Sequence, residues 1–292
     1  MQNIILLATI LLGAIGLIAA IILFFVSKLF YVYEDPRIAQ ITDILPLANC
    51  GGCGFPGCKG LAEAIVKAGS MKGLVCPAGN EKTMDDIAAA LGIATVVTIP
   101  HIAILHCNGS CANAPVKAIY DAAPSCAYAA SLFAGESACP YGCLGCGDCI
   151  SACKFDAIFM NPETKLPKIN EYKCTGCSAC VKVCPRNLIE IRKKDKFGRR
   201  VFVACANKEK GALAKKNCSV ACIGCGICTK FCSACAIQIE NFLARIDEEK
   251  CNLCYKCVNE CPQYAIHAVV YSADDGRDEI LEVTEVLDIA DI

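Results

Sequence analysis

One cysteine spacing, C-x2-C-x2-C-x3-C, occurs four times in this chain. It appears at Cys143, Cys146, Cys149 and Cys153, then at Cys174, Cys177, Cys180 and Cys184, then at Cys222, Cys225, Cys228 and Cys232, and last at Cys251, Cys254, Cys257 and Cys261. With 27 cysteines in 292 residues, modules held by bonds to sulfur can be far smaller than modules held by a hydrophobic core. Length alone suggests about two domains; the cysteines argue for several small ones. The cysteine total is odd and arranged mostly in CxxC steps, which is not the framework of a disulfide-rich secreted protein. Metal ligation in a reducing compartment fits better. The formal net charge of −1 removes a nucleic-acid partner argued from bulk charge.

The repeated spacing is the one that holds 4Fe-4S clusters in two-cluster bacterial ferredoxins, where three cysteines grip one cluster and the fourth crosses to the other. The tight loop wraps three corners of a cubane, and the chain then leaves as a helix that cannot fold back to the fourth corner. On that assignment Cys143, Cys146 and Cys149 close with Cys184, and Cys174, Cys177 and Cys180 with Cys153. In the second unit Cys222, Cys225 and Cys228 close with Cys261, and Cys251, Cys254 and Cys257 with Cys232. Proline follows Cys184 and Cys261, but Lys154 and Ser233 follow the other two fourth cysteines; proline there shapes a turn and gives no ligand. Zinc also takes four thiolates, but usually from two CxxC pairs. A further group, Cys50, Cys53 and Cys58 with Cys76, is set among glycines that let backbone N–H groups approach cluster sulfurs. A helix over Leu61–Ala68 carries the chain toward Cys76.

These twenty cysteines give five predicted 4Fe-4S clusters. The remaining seven, Cys107, Cys111, Cys126, Cys139, Cys205, Cys218 and Cys235, read mainly as buried thiols packed near clusters. Cys107, Cys111, Cys126 and Cys139 leave room for a sixth centre, and Cys139 is an alternative ligand to Cys146. They lie in a segment read as a strand, Ile99–Cys107, followed by a short helix, Ser125–Ala134. His101, His106 and His267 sit outside any ligand step and read as ordinary strand and turn residues. Five oxidised clusters with their thiolates would take the formal charge from −1 to about −11. The run Arg192, Lys193, Lys194, Lys196, Arg199 and Arg200, with Lys208, Lys210, Lys215 and Lys216, can balance that charge, steer an acidic electron donor, or form a solvated loop.

From Met1 to Ser27 there is no charged side chain. The apolar stretch from Ile4 to Val26 covers roughly 35 Å as a helix, enough for a hydrocarbon core of about 30 Å. It lacks the basic start and the small-residue cleavage site of a signal peptide. Lys28 and Arg37 follow it and nothing basic precedes it, which places the bulk of the chain on the cytoplasmic side. The expected organisation is a transmembrane anchor (1–30), an N-terminal 4Fe-4S domain (31–98), a cysteine-containing connecting segment (99–140), a first ferredoxin-like domain (141–195), a basic loop (196–217), a second ferredoxin-like domain (218–270) and an acidic tail (271–292) read as a solvated end. The fold class is α+β: one N-terminal transmembrane helix, a small 4Fe-4S domain and two tandem bacterial-type 2[4Fe-4S] ferredoxin-like domains.

Taken together, the single N-terminal span, the Cys50–Cys58 loop with Cys76, the His106-Cys107-Asn108-Gly109 segment, the Cys139-Pro140-Tyr141-Gly142-Cys143 stretch and the tandem units resemble the B subunit of the Rnf-type ion-translocating ferredoxin:NAD oxidoreductase complex. The chain departs from that family at Cys146, where an apolar residue is common in relatives. The resemblance implies an electron-transfer subunit in the bacterial inner membrane, single-pass, with its cluster domains in the cytoplasm. It would take electrons from reduced soluble ferredoxin and pass them to other membrane subunits toward NAD, with ion translocation elsewhere in the complex. Two electrons falling 100 mV release about 4.6 kcal/mol, against about 2.3 kcal/mol to move one charge against 100 mV. The span carries no ionisable residue for an ion path, so no complete active site is expected in this chain. Two other readings stand beside this one: a related complex that keeps a redox-sensing regulator reduced, and, in a different class, a zinc-stabilised membrane scaffold.

Overall fold

The computed structural model describes residues 2–29, 34–95, 99–119, 121, 123–132, 135–194, 198–272 and 279–283. Helix α1, Gln2–Leu29, is apolar on every side and contains a 20-residue stretch with a mean hydropathy of 2.8, none of it buried against the rest of the chain. A helix apolar all round needs an apolar surrounding, and this one is long enough to cross a bilayer. Lys28 closes its last turn, complementing the helix dipole, with Nζ 5.4 Å from the centre of the Phe24 ring.

Next comes a bundle of α2 (Pro36–Ile44), α3 (Cys58–Ala68) and α4 (Glu81–Leu91). Asp35 caps α2 by accepting from the Arg37 backbone N–H at 3.0 Å, ahead of a proline in the first turn. Asn80 caps α4 by accepting from Thr83 N at 2.8 Å. Ile41, Leu61, Ile65, Met71, Met84 and Ile87 form its core, each worth roughly 1.5–3 kcal/mol of apolar burial. That core fixes Cys58 at the start of α3 and Cys76 in the loop before α4.

Two units of like design follow. In the first, β1 (His101–Leu105) pairs antiparallel with β4 (Ile189–Lys193), and β2 (Ile158–Met160) with β3 (Pro167–Ile169). Between the strands lie α5 (Cys126–Leu132), α6 (Asp148–Ser151) and α7 (Ala179–Val183). In the second, β5 (Arg200–Val203) pairs with β8 (Ile266–Ser272), and β6 (Ile237–Glu240) with β7 (Leu243–Ile246). Here α8 (Gly211–Asn217), α9 (Ile227–Phe231) and α10 (Lys256–Asn259) intervene. The stretch read as a connecting segment thus supplies β1, and the stretch read as a basic loop supplies β5 and α8. The acidic tail differs from the solvated end expected: β9 (Glu279–Val283) adds to the exposed edge of β8, Ala268 opposite Val283, as an unpaired strand edge invites. Residues 273–278 and 284–292 of that tail, with Ala134 of the expected helix and Lys196 of the basic run, lie outside the described residues.

The two units pack against each other through Ile104 of β1, Phe202 of β5, Ala204 and Val269 of β8. Polar contacts pin the same boundary. The His106 ring bonds Val203 O at 2.7 Å through Nδ1 and Glu190 Oε2 at 2.6 Å through Nε2. Arg192 donates to Ile246 O at 3.0 Å, and Arg200, nearly buried, pairs with Glu171. Lys193 pairs with Glu249 at 3.0 Å. Much of the basic run is therefore spent joining the units.

Candidate metal centres

All four copies of the repeat fold alike. Within each CxxCxxC loop two residues take left-handed backbone: Gly145 and Gly147, Gly176 and Ser178, Gly224 and Gly226, Leu253 and Tyr255. Glycine is the easy solution; Leu253 and Tyr255 hold it at a cost of roughly 1–2 kcal/mol each, set against the packing around them. At Gly224 a Cβ would stand 2.7 Å from the Phe242 carbonyl oxygen, so only glycine fits. Three residues past the last cysteine of each copy comes another left-handed corner, at Asp156, Asn187, Cys235 and Tyr264. That corner turns the next N–H onto the fourth cysteine: Ala157 to Cys153 Sγ at 3.4 Å, Leu188 to Cys184 at 3.4 Å, Ala236 to Cys232 at 3.3 Å and Ala265 to Cys261 at 3.4 Å. Cys235 is thus the exposed corner residue of its copy, with no thiol set around it among the described residues.

The structure gathers the thiols across each unit. Cys180 lies among Cys174, Cys177 and Cys153. Cys228 lies among Cys222, Cys225 and Cys261, and Cys257 among Cys251, Cys254 and Cys232. Cys50, Cys53, Cys58 and Cys76 line one cavity, with Asn49 Oδ1 accepting from Cys58 N at 2.9 Å. Burial pushes the Cys180 and Cys257 thiols up to about 12, and those of Cys149 and Cys228 to about 11. A bare thiolate is unwelcome in such a place, whereas a coordinating metal deprotonates a thiol outright. Among the described residues no three His, Cys, Asp or Glu side chains converge tightly enough for a single metal ion. The Cys50 and Cys251 sets line cavities, N–H groups are aimed at the fourth sulfurs of the repeats, and that donor chemistry fits a polynuclear iron–sulfur core.

In the first set the structure brings up a thiol from outside the repeat. Cys143, Cys149 and Cys184 line a cavity together with Cys126, not Cys146. Cys126 opens α5, whose first turn is held by Asp148 Oδ2 accepting from Ser125 Oγ at 3.1 Å and from Ala127 N at 3.2 Å. Cys146 stands beside Cys126, with its Sγ 3.6 Å from Leu144 O. The grouping of Cys107, Cys111, Cys126 and Cys139 does not form. Cys111 is exposed and donates to Glu163 O at 3.3 Å, Cys126 joins the first set, and Cys139 lies with Cys107, Cys205 and Cys218 and so does not replace Cys146. Sequence spacing missed Cys126 because helix α5 brings it in from outside the motif, and missed the company of Cys107 and Cys139 because Cys205 and Cys218 reach them only when the two units dock.

Neighbouring sets touch. The Cys50 thiol lies near Cys177, and a Cβ on Gly52 would stand 2.8 Å from the Cys177 carbonyl oxygen. Lys154 crosses the same seam, donating to Ala48 O at 3.0 Å. Cys180 adjoins Cys149, and Cys257 adjoins Cys228.

Comparison with known proteins agrees with this geometry. The 4Fe-4S dicluster domain family matches residues 142–188, the putative Fe-S cluster family residues 45–72, and the 4Fe-4S binding domain family residues 244–267. The chain is 41% identical over 266 residues, 91% of its length and 78% of the relative's, to the B subunit of the Na(+)-translocating ferredoxin:NAD(+) oxidoreductase complex of Acetobacterium woodii. It is 38% identical to the B subunit of the ion-translocating oxidoreductase complex of Methanosarcina acetivorans, over 87% of this chain and 95% of that one. To the B subunit of the proton-translocating ferredoxin:NAD(+) oxidoreductase complex of Clostridium ljungdahlii it is 37% identical, over 94% and 95%.

Proposed function

Because the chain belongs to the family of B subunits of Rnf-type ion-translocating oxidoreductase complexes, we propose that it accepts electrons from reduced ferredoxin and relays them to membrane partners for delivery to NAD. It is an electron-transfer subunit; the donor, the direction and the membrane arrangement are our reading. Bound 4Fe-4S clusters would supply one-electron carriers that change charge with no bond made or broken.

The residues that would hold them are Cys50, Cys53, Cys58 and Cys76; Cys126, Cys143, Cys149 and Cys184; Cys174, Cys177, Cys180 and Cys153; Cys222, Cys225, Cys228 and Cys261; and Cys251, Cys254, Cys257 and Cys232. The observation that carries this reading is the fourfold recurrence of left-handed corners and N–H groups aimed at the fourth sulfur. Such hydrogen bonds stabilise the reduced, more negative state of a cluster and raise its potential. Gly52 keeps the N-terminal set against the Cys174 set. Helix α1 anchors the chain in the inner membrane as a single span with its modules in the cytoplasm, as Lys28 and Arg37 favour. Lys208, Lys210, Lys215 and Lys216 stay exposed on and beside α8, where they can steer an acidic donor.

The test is Cys177→Ala and Cys254→Ala in the assembled complex. Each is expected to remove one cluster's paramagnetic signal and to stop ferredoxin-driven NAD reduction by membranes. Normal NAD reduction in either variant would contradict a serial relay.

A further inference from the structure

The second copy of the repeat ends alike in both units, in Cys-Pro and one further residue before a left-handed corner. In the first unit this is Cys184-Pro185-Arg186 with Asn187 at φ 51°, and in the second Cys261-Pro262-Gln263 with Tyr264 at φ 51°. The corner residue donates to the cysteine carbonyl at 3.1 Å in both, and the next N–H bonds the cysteine sulfur at 3.4 Å in both. Arg186 and Gln263 therefore leave the backbone at equivalent points. Each stands beside the cysteine that closes a set, Cys184 with Cys143 and Cys149, Cys261 with Cys222, Cys225 and Cys228. The earlier copies put Phe155 and Ala234 at this place. Arg186 alone brings a charge there.

That charge is seated at the first set. Arg186 lines the cavity that Cys126, Cys143, Cys149 and Cys184 share, and its Nη1 donates to the carbonyl of Gly142, the residue before Cys143. A Cβ on Gly135 would lie 3.6 Å from Arg186 Nη2, so the guanidinium sits close over a residue that has no side chain. Arg186 is partly buried, where a charge is screened less than at the surface, and a guanidinium keeps its proton in a protein. Gln263 is the neutral counterpart. Only 8% exposed, it donates from Nε2 to Pro262 O at 3.0 Å, and its buried Oε1 accepts no hydrogen bond among the described residues. Asp148 also lines the first cavity, with its Oδ2 accepting from Ser125 Oγ and Ala127 N; the second unit has Ile227 at that place. A carboxylate there disfavours an added electron, and among the described residues Arg186 is the one cation lining the cavity that offsets it.

We propose that Arg186 sets the reduction potential of the centre held by the Cys143 set, its fixed cation favouring the reduced state, and that Gln263 leaves the equivalent centre of the second unit without that aid. Reduction adds one electron and so one negative charge, and the net charge around a cluster is one of the levers on its potential. The attraction is stronger in a partly dry place than in water. Arg186 takes no electron and moves no proton; it acts on the energy of an electron resting beside it. In the relay this makes the Cys143 set a better resting place for an electron than its thiolates and Asp148 alone would make it. The inference rests on the cluster reading above and adds to it a residue that distinguishes two units of like design.

The experiment is a redox titration of the whole complex, purified under strict exclusion of oxygen and followed by paramagnetic resonance, for wild type, Arg186→Gln, Arg186→Met, Arg186→Lys and Gln263→Arg. Cys149→Ala and Cys228→Ala identify the signals of the two centres by their loss. At a fixed potential, Arg186→Gln and Arg186→Met are expected to lower the reduced-to-oxidised ratio of the Cys149 signal about tenfold, equivalent to about 59 mV for one electron, with iron and sulfide unchanged. Arg186→Lys should stay near the wild type, and Gln263→Arg should move the Cys228 signal the other way. An unmoved midpoint in both neutral variants overturns the proposal, as does a fall in Arg186→Lys equal to theirs or an unmoved Cys228 signal in Gln263→Arg. Loss of iron in the neutral variants overturns it as well, because Arg186 would then be holding the set together. Each of these failures leaves the cluster reading standing, whereas a wild-type complex in which this chain holds no iron sinks both.

Discussion

Removing the carboxylate of Glu171 tests how the two units are held together. Glu171 receives the guanidinium of Arg200 from β5, and their side chains are only 14% and 9% exposed. Arg200 Nη1 also donates to Glu171 Oε2 at 3.1 Å and to Gly198 O at 2.9 Å. Glu171→Ala would leave the guanidinium buried with, among the described residues, the Gly198 carbonyl as its hydrogen-bond acceptor. Breaking a buried pair from one side costs about 3–5 kcal/mol, because the surviving charge stays desolvated. In a body of this size each kcal/mol lowers the midpoint by roughly 2–4 °C, so the variant should unfold about 6–20 °C early. Replacing both partners, Glu171→Leu with Arg200→Met, removes the orphaned charge and should recover most of the loss. The assay is bleaching of the cluster absorbance during anaerobic heating, compared between variants at one fixed scan rate, because the apparent midpoint of an irreversible step depends on that rate. If Glu171→Ala bleaches at the wild-type temperature, or the double variant is no better than the single, the pair does not hold the boundary as argued.

Gly52→Ala should slow electron passage between the N-terminal set and the Cys174 set while leaving the iron content intact, because its Cβ would meet Cys177 O at 2.8 Å; freeze-quench reduction kinetics read this directly. Cys146→Ala is expected to keep all its iron and Cys126→Ala to lose about four irons, with the reverse pattern restoring the ferredoxin spacing as the ligand rule. The Glu190 carboxyl is held down to about 2, first by its hydrogen bond from His106 and then by Arg192. Its stabilisation is therefore complete above the unfolded value of 4.5 and is lost only as pH falls toward 2. Glu190→Gln should lower the midpoint at pH 5, and the difference should fade as pH falls from 4.5 toward 2; a difference already gone at pH 5 would contradict that. Deleting residues 1–29 should move the chain out of the membrane fraction, measured by sedimentation, without loss of iron, since α1 buries nothing against the modules.

What the sequence made legible was local. The CxxCxxC loops, the glycines at Gly145, Gly176 and Gly224 and the apolar run of α1 each announce their conformation within a few residues. The crossing of the fourth cysteine was legible because the repeat carries it. Cys126, Cys205 and Cys218 were not, since their partners are brought to them by helix α5 or by docking of one unit on the other. The equivalence of Cys139 and Cys218, each four residues ahead of a motif, was present in the spacing and was the one signal that could have revealed the shared cavity. The basic run misled for a related reason. Arg192 and Arg200 look solvated beside so many lysines, yet the Ile246 carbonyl and Glu171, which capture them, lie on another strand and on a loop.

Which metal the thiols hold decides whether this chain can carry electrons at all. Iron, sulfide and zinc quantified per polypeptide, on material never exposed to air, should give iron and sulfide in equal amounts of about 20 or more with no stoichiometric zinc. Two or more zinc ions per chain, with iron near zero, would contradict it.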